Sequence, residues 1–275
     1  QTIDQSKLGN GKWGVGAWTT SFYTASTMGA GADNVYRFLG TNATLGITQT
    51  NALSGTASLW VGAPQYDAGF ALGNTSASVR LYGDQSYTGN TTIFRSDNTG
   101  NTNNFLEILG NSASPVFDVF GRLTARGDGR FTDDNGNQVN TVNLYQGSTL
   151  RLDYSMDVND TMLISRLDNS NLGLESDENK WGDTTALFLD GATINLVSSG
   201  GRVNRERVGD ITVKNGAAVY LERNSTNGQM ILETSSINRV GQATFAVREN
   251  ANELGRVDLQ GQKFFIDNGL SMLDA

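Results

Sequence analysis

The feature that most restricts this chain is a strand-turn-strand cassette that returns at long, regular intervals. From Ile211 to Leu221 the residues read ITVKNGAAVYL. Ile211 and Val213 point to one side of a strand, Asn215-Gly216 supplies a turn, and Ala217, Val219 and Leu221 resume the same inward alternation. The pattern also stands 69 residues upstream, with Val142, Leu144, Gly147, Ser148, Leu150 and Leu152 in matching places and Gln146-Gly147 at the turn. A version with a turn one residue shorter runs through Leu187, Leu189, Gly191, Ala192, Ile194 and Leu196. Val257, Leu259, Gly261, Gln262, Phe264 and Ile266 repeat that version 70 residues later. Two forms recurring at nearly one interval imply a coil of roughly 20 to 25 residues wound three times between copies, within the range of stacked-repeat folds.

The remaining residues agree with short strands and frequent turns. The 275 residues include 33 glycines and only two prolines, with many Asn, Thr and Ser, which favours tight turns between strands over long helices. From Val35 onward the strands predicted are Val35 to Leu39, Thr44 to Ile47, Ala57 to Val61, Ser78 to Tyr82, Phe105 to Leu109 and one from Val116 to Leu123. Residues 1 to 35 are rich in glycine and aromatics, including Trp13, Trp18, Phe22 and Tyr23, and lack the later cassette. Such an atypical first unit suits an N-terminal cap over an exposed strand edge. Polar stretches at 96 to 104, 127 to 137 and 168 to 183 read as loops projecting from the coils. With no linker to divide it, the chain is expected to form a single solenoid domain over 1 to 275.

The segment Tyr87-Thr88-Gly89-Asn90-Thr91-Thr92-Ile93 reads as a turn at Gly89-Asn90 feeding a β-branched strand. It resembles the YTGxTTI/V core of the strand repeats in passenger regions of bacterial autotransporters and related large surface proteins. The cassettes at 142 to 152, 187 to 196, 211 to 221 and 257 to 266 are similar to coils of their right-handed β-helices. The likeness in repeat style spans roughly residues 35 to 270 and does not include the family's outer-membrane barrel. It implies an all-β, right-handed parallel β-helix, with a β-sandwich or jelly roll as the competing architecture.

Several kinds of chemistry lack the residues they need. The chain has no cysteine and no histidine, so Cys/His zinc sites, cysteine nucleophiles and Ser-His-Asp triads are excluded. A net charge of −8 with scattered Lys and Arg argues against nucleic acid. The densest basic group, Arg202, Arg205 and Arg207, is interrupted by Glu206 and reads as a solvated loop. No run of about 18 apolar residues is present to span a membrane as a helix. The carboxylate clusters are Asp133 with Asp134, Glu175 with Asp177 and Glu178, and Asp153 with Asp157. Neighbouring strand residues face opposite sides, so nothing in these spacings makes an acid-base pair.

Asp133, Asn135 and Asn137 alternate like calcium ligands around Gly136, but Leu144 stands where the twelfth-position carboxylate belongs, and an Asx-rich turn is the simpler reading. Sequons at Asn42, Asn74, Asn90, Asn159 and Asn224 are expected by chance in so Asn- and Thr-rich a chain. Tyr145, Phe188 and Tyr220 are candidates for an outward aromatic ladder, which would stack on sugars or, more simply, brace neighbouring strands. No residue is assigned a catalytic, cofactor-binding or metal-binding role, and no cofactor is expected. The reading is a non-enzymatic bacterial surface or secreted protein, acting through solenoid faces and loops on host, neighbour-cell or self surfaces. The alternatives are a subunit of an extracellular filament or sheath, and a polysaccharide lyase or hydrolase on the same scaffold.

Overall fold

The computed structural model describes residues 1–40, 43–64, 76–95, 104–127, 129–131, 141–155, 163–164, 171–172, 185–200, 203–223, 228–249 and 263–266. In chain order the early strands are β1 (Ser21–Tyr23), β2 (Val35–Phe38), β3 (Thr44–Ile47), β4 (Ser58–Val61), β5 (Ser78–Leu81) and β6 (Thr91–Ile93). The middle ones are β7 (Phe105–Ile108), β8 (Val116–Val119), β9 (Arg122–Arg126), β10 (Thr141–Leu144), β11 (Thr149–Asp153), β12 (Leu163–Ile164) and β13 (Asn171–Leu172). The last are β14 (Ala186–Asp190), β15 (Thr193–Val197), β16 (Val203–Glu222), β17 (Gln229–Glu249) and β18 (Lys263–Ile266). Three short 3₁₀ turns precede β2, and the described residues contain no α-helix.

Strand pairing skips neighbours in sequence. One line runs β1-β3-β5-β7-β9-β11-β15 and the other β2-β4-β6-β8-β10-β14, and both meet on β16, whose two halves serve one line each. Every pairing in this large sheet is parallel, and only the small β12–β13 pair is antiparallel. That excludes the antiparallel sandwich, and the alternation of the two lines is β-helix-like. Further parallel contacts lie off these lines: bridges Asp4 to Gly29, Gln85 to Ser112 and Asn111 to Arg130, and the pairings of β17 with the first part of β16 and with β18.

The inward residues explain why the stack forms. In β4, β5, β8 and β10 burial alternates residue by residue, so one apolar set faces the core and the other set faces out, whereas β2 and β7 are buried throughout. Val142 pairs with Leu187 and Leu187 with Ile211, all fully or nearly fully buried. In the other line Leu150, Ile194 and Val219 lie in register and are equally buried. An apolar side chain thus meets its equivalent from the strands before and after in its line, and a single continuous core extends from Ala17 to Ala243 among the described residues. The corners between the two lines use left-handed backbone: Gly147 (φ 79°), Gly191 (φ 71°), Asn215 (φ 61°) and Gly241 (φ 65°). Glycine and asparagine tolerate that conformation, which is why turn residues recur at these places.

Four expectations are corrected. Val142 and Ile211 share a line, but two steps separate them instead of three, because Leu187 alone lies between. The step from Val142 to Leu187 contains the polar insert and is correspondingly long. Of the cassette at 257 to 266, Val257, Leu259, Gly261 and Gln262 lie outside the described residues, and its Phe264 pairs with Leu232, off the line that leads from Ile194 through Val219 to Val247. The stretch Val116 to Leu123 is two strands, not one. It bends at Gly121, where a Cβ would lie 2.4 Å from the Asn104 carbonyl oxygen, so the chain turns where backbones touch. Finally, Arg205 and Arg207 belong to β16 and not to a loop. Arg207 and Glu206 are buried, and Glu206 accepts a hydrogen bond from the Tyr154 hydroxyl.

Candidate functional site

The YTGNTTI segment is the one motif with a resemblance behind it, and Tyr87, Thr91 and Ile93 are its buried side chains, while Thr88 and Asn90 are exposed. Tyr87 is fully buried. Its hydroxyl lies 2.7 Å from Thr91 Oγ1 in the same motif and 3.2 Å from Ser112 Oγ on the next coil. Burial pushes the Tyr87 phenol up to about 12, with the two hydroxyl partners pulling weakly the other way. Gly89 donates its N–H to Ala57 O at 3.1 Å, and a Cβ there would lie 2.4 Å from that oxygen. The glycine permits backbone-on-backbone contact between coils, the tyrosine fills the interior, and the threonine satisfies its hydroxyl. The motif is therefore a structural lock.

Chemistry open to solvent sits on the two outward faces. Over the line β2 to β14 the outward positions hold Trp60, Phe94, Phe120, Tyr145 and Phe188. Phe120 and Tyr145 stack with centroids 4.1 Å apart and planes within 4°. Trp60 meets Phe94 edge-on at 5.3 Å, and Tyr145 meets Phe188 at 6.5 Å. Tyr145 and Phe188 do fall in one line, as the sequence suggests, but Tyr220 belongs to the other face, where Arg248 lies 5.8 Å over its ring. Because Phe120 and Tyr145 present their faces to each other, those faces are not offered to a flat ligand, and strand bracing is the role the geometry supports. Beside them Asp118 accepts from Asn143 Nδ2 at 2.8 Å and, more weakly, from the Tyr145 hydroxyl at 3.4 Å. Burial, followed by the Asp118 charge, pushes the Tyr145 phenol up.

The face over β1 to β15 is charged in its middle. Glu107 is buried between Arg80, at 2.5 Å, and Arg126, at 3.3 Å, on the coils before and after. The Arg80 contact is ionic but poorly aligned, since its Nε makes no hydrogen bond of acceptable geometry. Arg151 reaches Asp153 at 3.1 Å and Glu222 at 3.6 Å. Burial raises the Asp153 carboxyl, yet hydrogen bonds from Ser155 and the Arg151 guanidinium outweigh it and hold the group below its ordinary value. Arg122 lies 4.1 Å over the Phe105 ring. Glu107, Asp153 and Glu222 are thus each paired with an arginine of this face.

Asp153 is the one carboxylate of the three sequence clusters inside the described residues, and Arg151 and Ser155 occupy it. Asp133, Asp134, Asn135, Gly136, Asn137, Asp157, Glu175, Asp177 and Glu178 lie outside the described residues, as do Asn42, Asn74, Asn159 and Asn224. Asn90 is exposed. Among the described residues no group of three His, Cys, Asp or Glu side chains is placed to hold a metal ion. Glu107, with no acidic neighbour in sequence to mark it, gave no signal in the linear pattern.

The fold and these faces define an all-β chain whose parallel strands stack in register, β-helix-like, with polar chemistry distributed along its sides. Comparison with protein-family models, with curated proteins and with solved structures gave no match.

Proposed function

We propose that the chain winds as a right-handed parallel β-helix and serves as a non-enzymatic rod at the surface of a bacterium or outside it, engaging neighbouring surfaces or copies of itself through its side faces and loops. The observation that carries this reading is the unbroken inward register from Phe38 through Val61, Ile93, Val119, Leu144 and Leu189 to Val213, which gives reach and stiffness without disulfides. Two further features favour it. The YTGNTTI motif resembles strand repeats of autotransporter passenger regions, and its residues work as a coil lock. The accessible polar groups pair with one another along the rod, as suits a scaffold better than a catalyst.

Negative-stain microscopy of the purified chain, combined with binding to immobilised glycans and to intact bacterial cells, tests the proposal. Isolated narrow rods that bind cells or glycans support it. Long polymers in place of rods favour the filament or sheath reading, and compact particles that release sugars from a polysaccharide panel overturn it.

A further inference from the structure

The outer edge of β2 is the place where a parallel stack is open to an added strand, and its backbone groups can be accounted for one by one. Val35 O accepts from Gly31 N at 2.9 Å. Arg37 O accepts from Val15 N and Leu39 N donates to Val15 O, each at 2.9 Å. The Arg37 N–H is different, because its partner is a side chain: it donates to Gln5 Oε1 at 2.8 Å. Gln5 Nε2 returns a bond to Arg37 O at 3.3 Å. The carboxamide of Gln5 thereby imitates a peptide group: it accepts from the Arg37 N–H and shares Arg37 O with the backbone of Val15, which bridges the same edge.

Its placement is firm. Gln5 is completely buried, and its own N–H donates to Gly29 O at 3.0 Å, while Gly29 N donates to Ile3 O at 2.9 Å. The Arg37 guanidinium reaches back over the same segment to Ala32 O at 2.7 Å and Gly11 O at 3.2 Å. Gly11 has φ 77°, and a Cβ on it would lie 2.5 Å from Ala32 N, so the segment closes tightly onto the first coil.

We propose that Gln5 is a stop that prevents a second copy of this chain from adding a strand to β2. Backbone pairing is indifferent to sequence, and β2 already pairs in parallel with Ser58–Val61 of its own chain. Its outer edge therefore fits a parallel extended segment of another copy whose own edge is open, since Ser58–Val61 is already paired on both sides. The stop acts whether or not the side faces bind anything.

Gln5→Leu keeps the bulk of the side chain and removes both hydrogen-bonding groups, while Gln5→Glu keeps an acceptor for the Arg37 N–H. Circular dichroism verifies folding, hydrogen exchange reads the Arg37 amide, and sedimentation velocity over a concentration series reads association. In Gln5→Leu the Arg37 amide is expected to exchange at least about tenfold faster than in the parent, as loss of one buried hydrogen bond implies. Larger species should grow with concentration, and Gln5→Glu should retain most of the protection and the parent's sedimentation. Unchanged exchange in Gln5→Leu, or faster exchange with no gain in association, overturns the proposal. Should Gln5→Leu fail to fold, the parent decides: an Arg37 amide less protected than that of Phe38 would show that the stop is not in place.

Discussion

Replacing Leu187 by alanine probes the stacked register most directly. Leu187 is 2% exposed and lies between Val142 and Ile211, with hydrogen-bonded backbone on both sides. That framework cannot collapse to fill the space, so the loss belongs in the upper part of the usual range, about 3–4 kcal/mol. Phe188, the next residue, faces outward and braces Tyr145 across 6.5 Å. Its removal should cost only about 1 kcal/mol. The decisive quantity is the coupling between stacked partners. Leu187→Ala combined with Ile211→Ala should deviate from additivity by about 0.5–1.5 kcal/mol, because each mutation enlarges the same cavity. Leu187→Ala combined with Leu81→Ala, in the other line and several coils away, should be additive to within about 0.5 kcal/mol. Equilibrium urea unfolding of the parent, single and double variants, followed by tryptophan fluorescence, supplies all of these values. Equal costs for Leu187 and Phe188, or equal coupling for the stacked and distant pairs, would refute the register.

Three other outcomes follow from particular side chains. Tyr87 ionises near 10 when unfolded but only near 12 when folded, so its contribution is complete below pH 10 and is lost as the pH rises from there toward 12. Alkaline titration by tyrosinate absorbance should show a tyrosine, missing from the Tyr87→Phe titration, that appears only as circular dichroism reports unfolding, and Tyr87→Phe should shift that unfolding to higher pH at a cost near neutrality of about 1–2 kcal/mol. Glu107→Leu should cost about 1–2 kcal/mol in thermal or urea unfolding and not the larger penalty of a broken buried pair, because Arg80 and Arg126 are each about one-third exposed and turn to solvent. Gly89→Ala should be far more damaging than Gly147→Ala: the first puts a Cβ 2.4 Å from Ala57 O, whereas the second meets open space and pays only for φ 79°, about 1 kcal/mol. Melting temperatures of the two variants decide.

Much of the stack was legible because inward apolar residues alternate with a period that only strands have. The turn residues mark where the strands break: Asn215 and Gly147 are corners in the sequence pattern and have left-handed backbone in the structure. Step lengths were not legible. Counting residues between cassettes assumes equal coils, and the polar insert before Ala186 makes one coil long, so three steps were inferred where two exist. The single strand expected from Val116 to Leu123 is two for a related reason, since Gly121 marks a bend imposed by contact with Asn104, distant in sequence. Arg205, Glu206 and Arg207 failed because charge suggests solvent, while Tyr154, distant in sequence, supplies Glu206 with a buried partner. The faces were partly legible. Tyr145 and Phe188 could be placed together by the cassette, but ring orientation, which decides between bracing and sugar stacking, is a property of packing.

The unequal coils carry a consequence for how such a chain tolerates change. Leu152 and Leu196 stand side by side although many more residues connect them than connect Ile108 to its neighbour Ala125. Length added at that position leaves the register of the flanking strands intact. The position is accordingly a natural port for grafted epitopes or affinity tags, a place where new surface can be installed without renegotiating the spine beneath it.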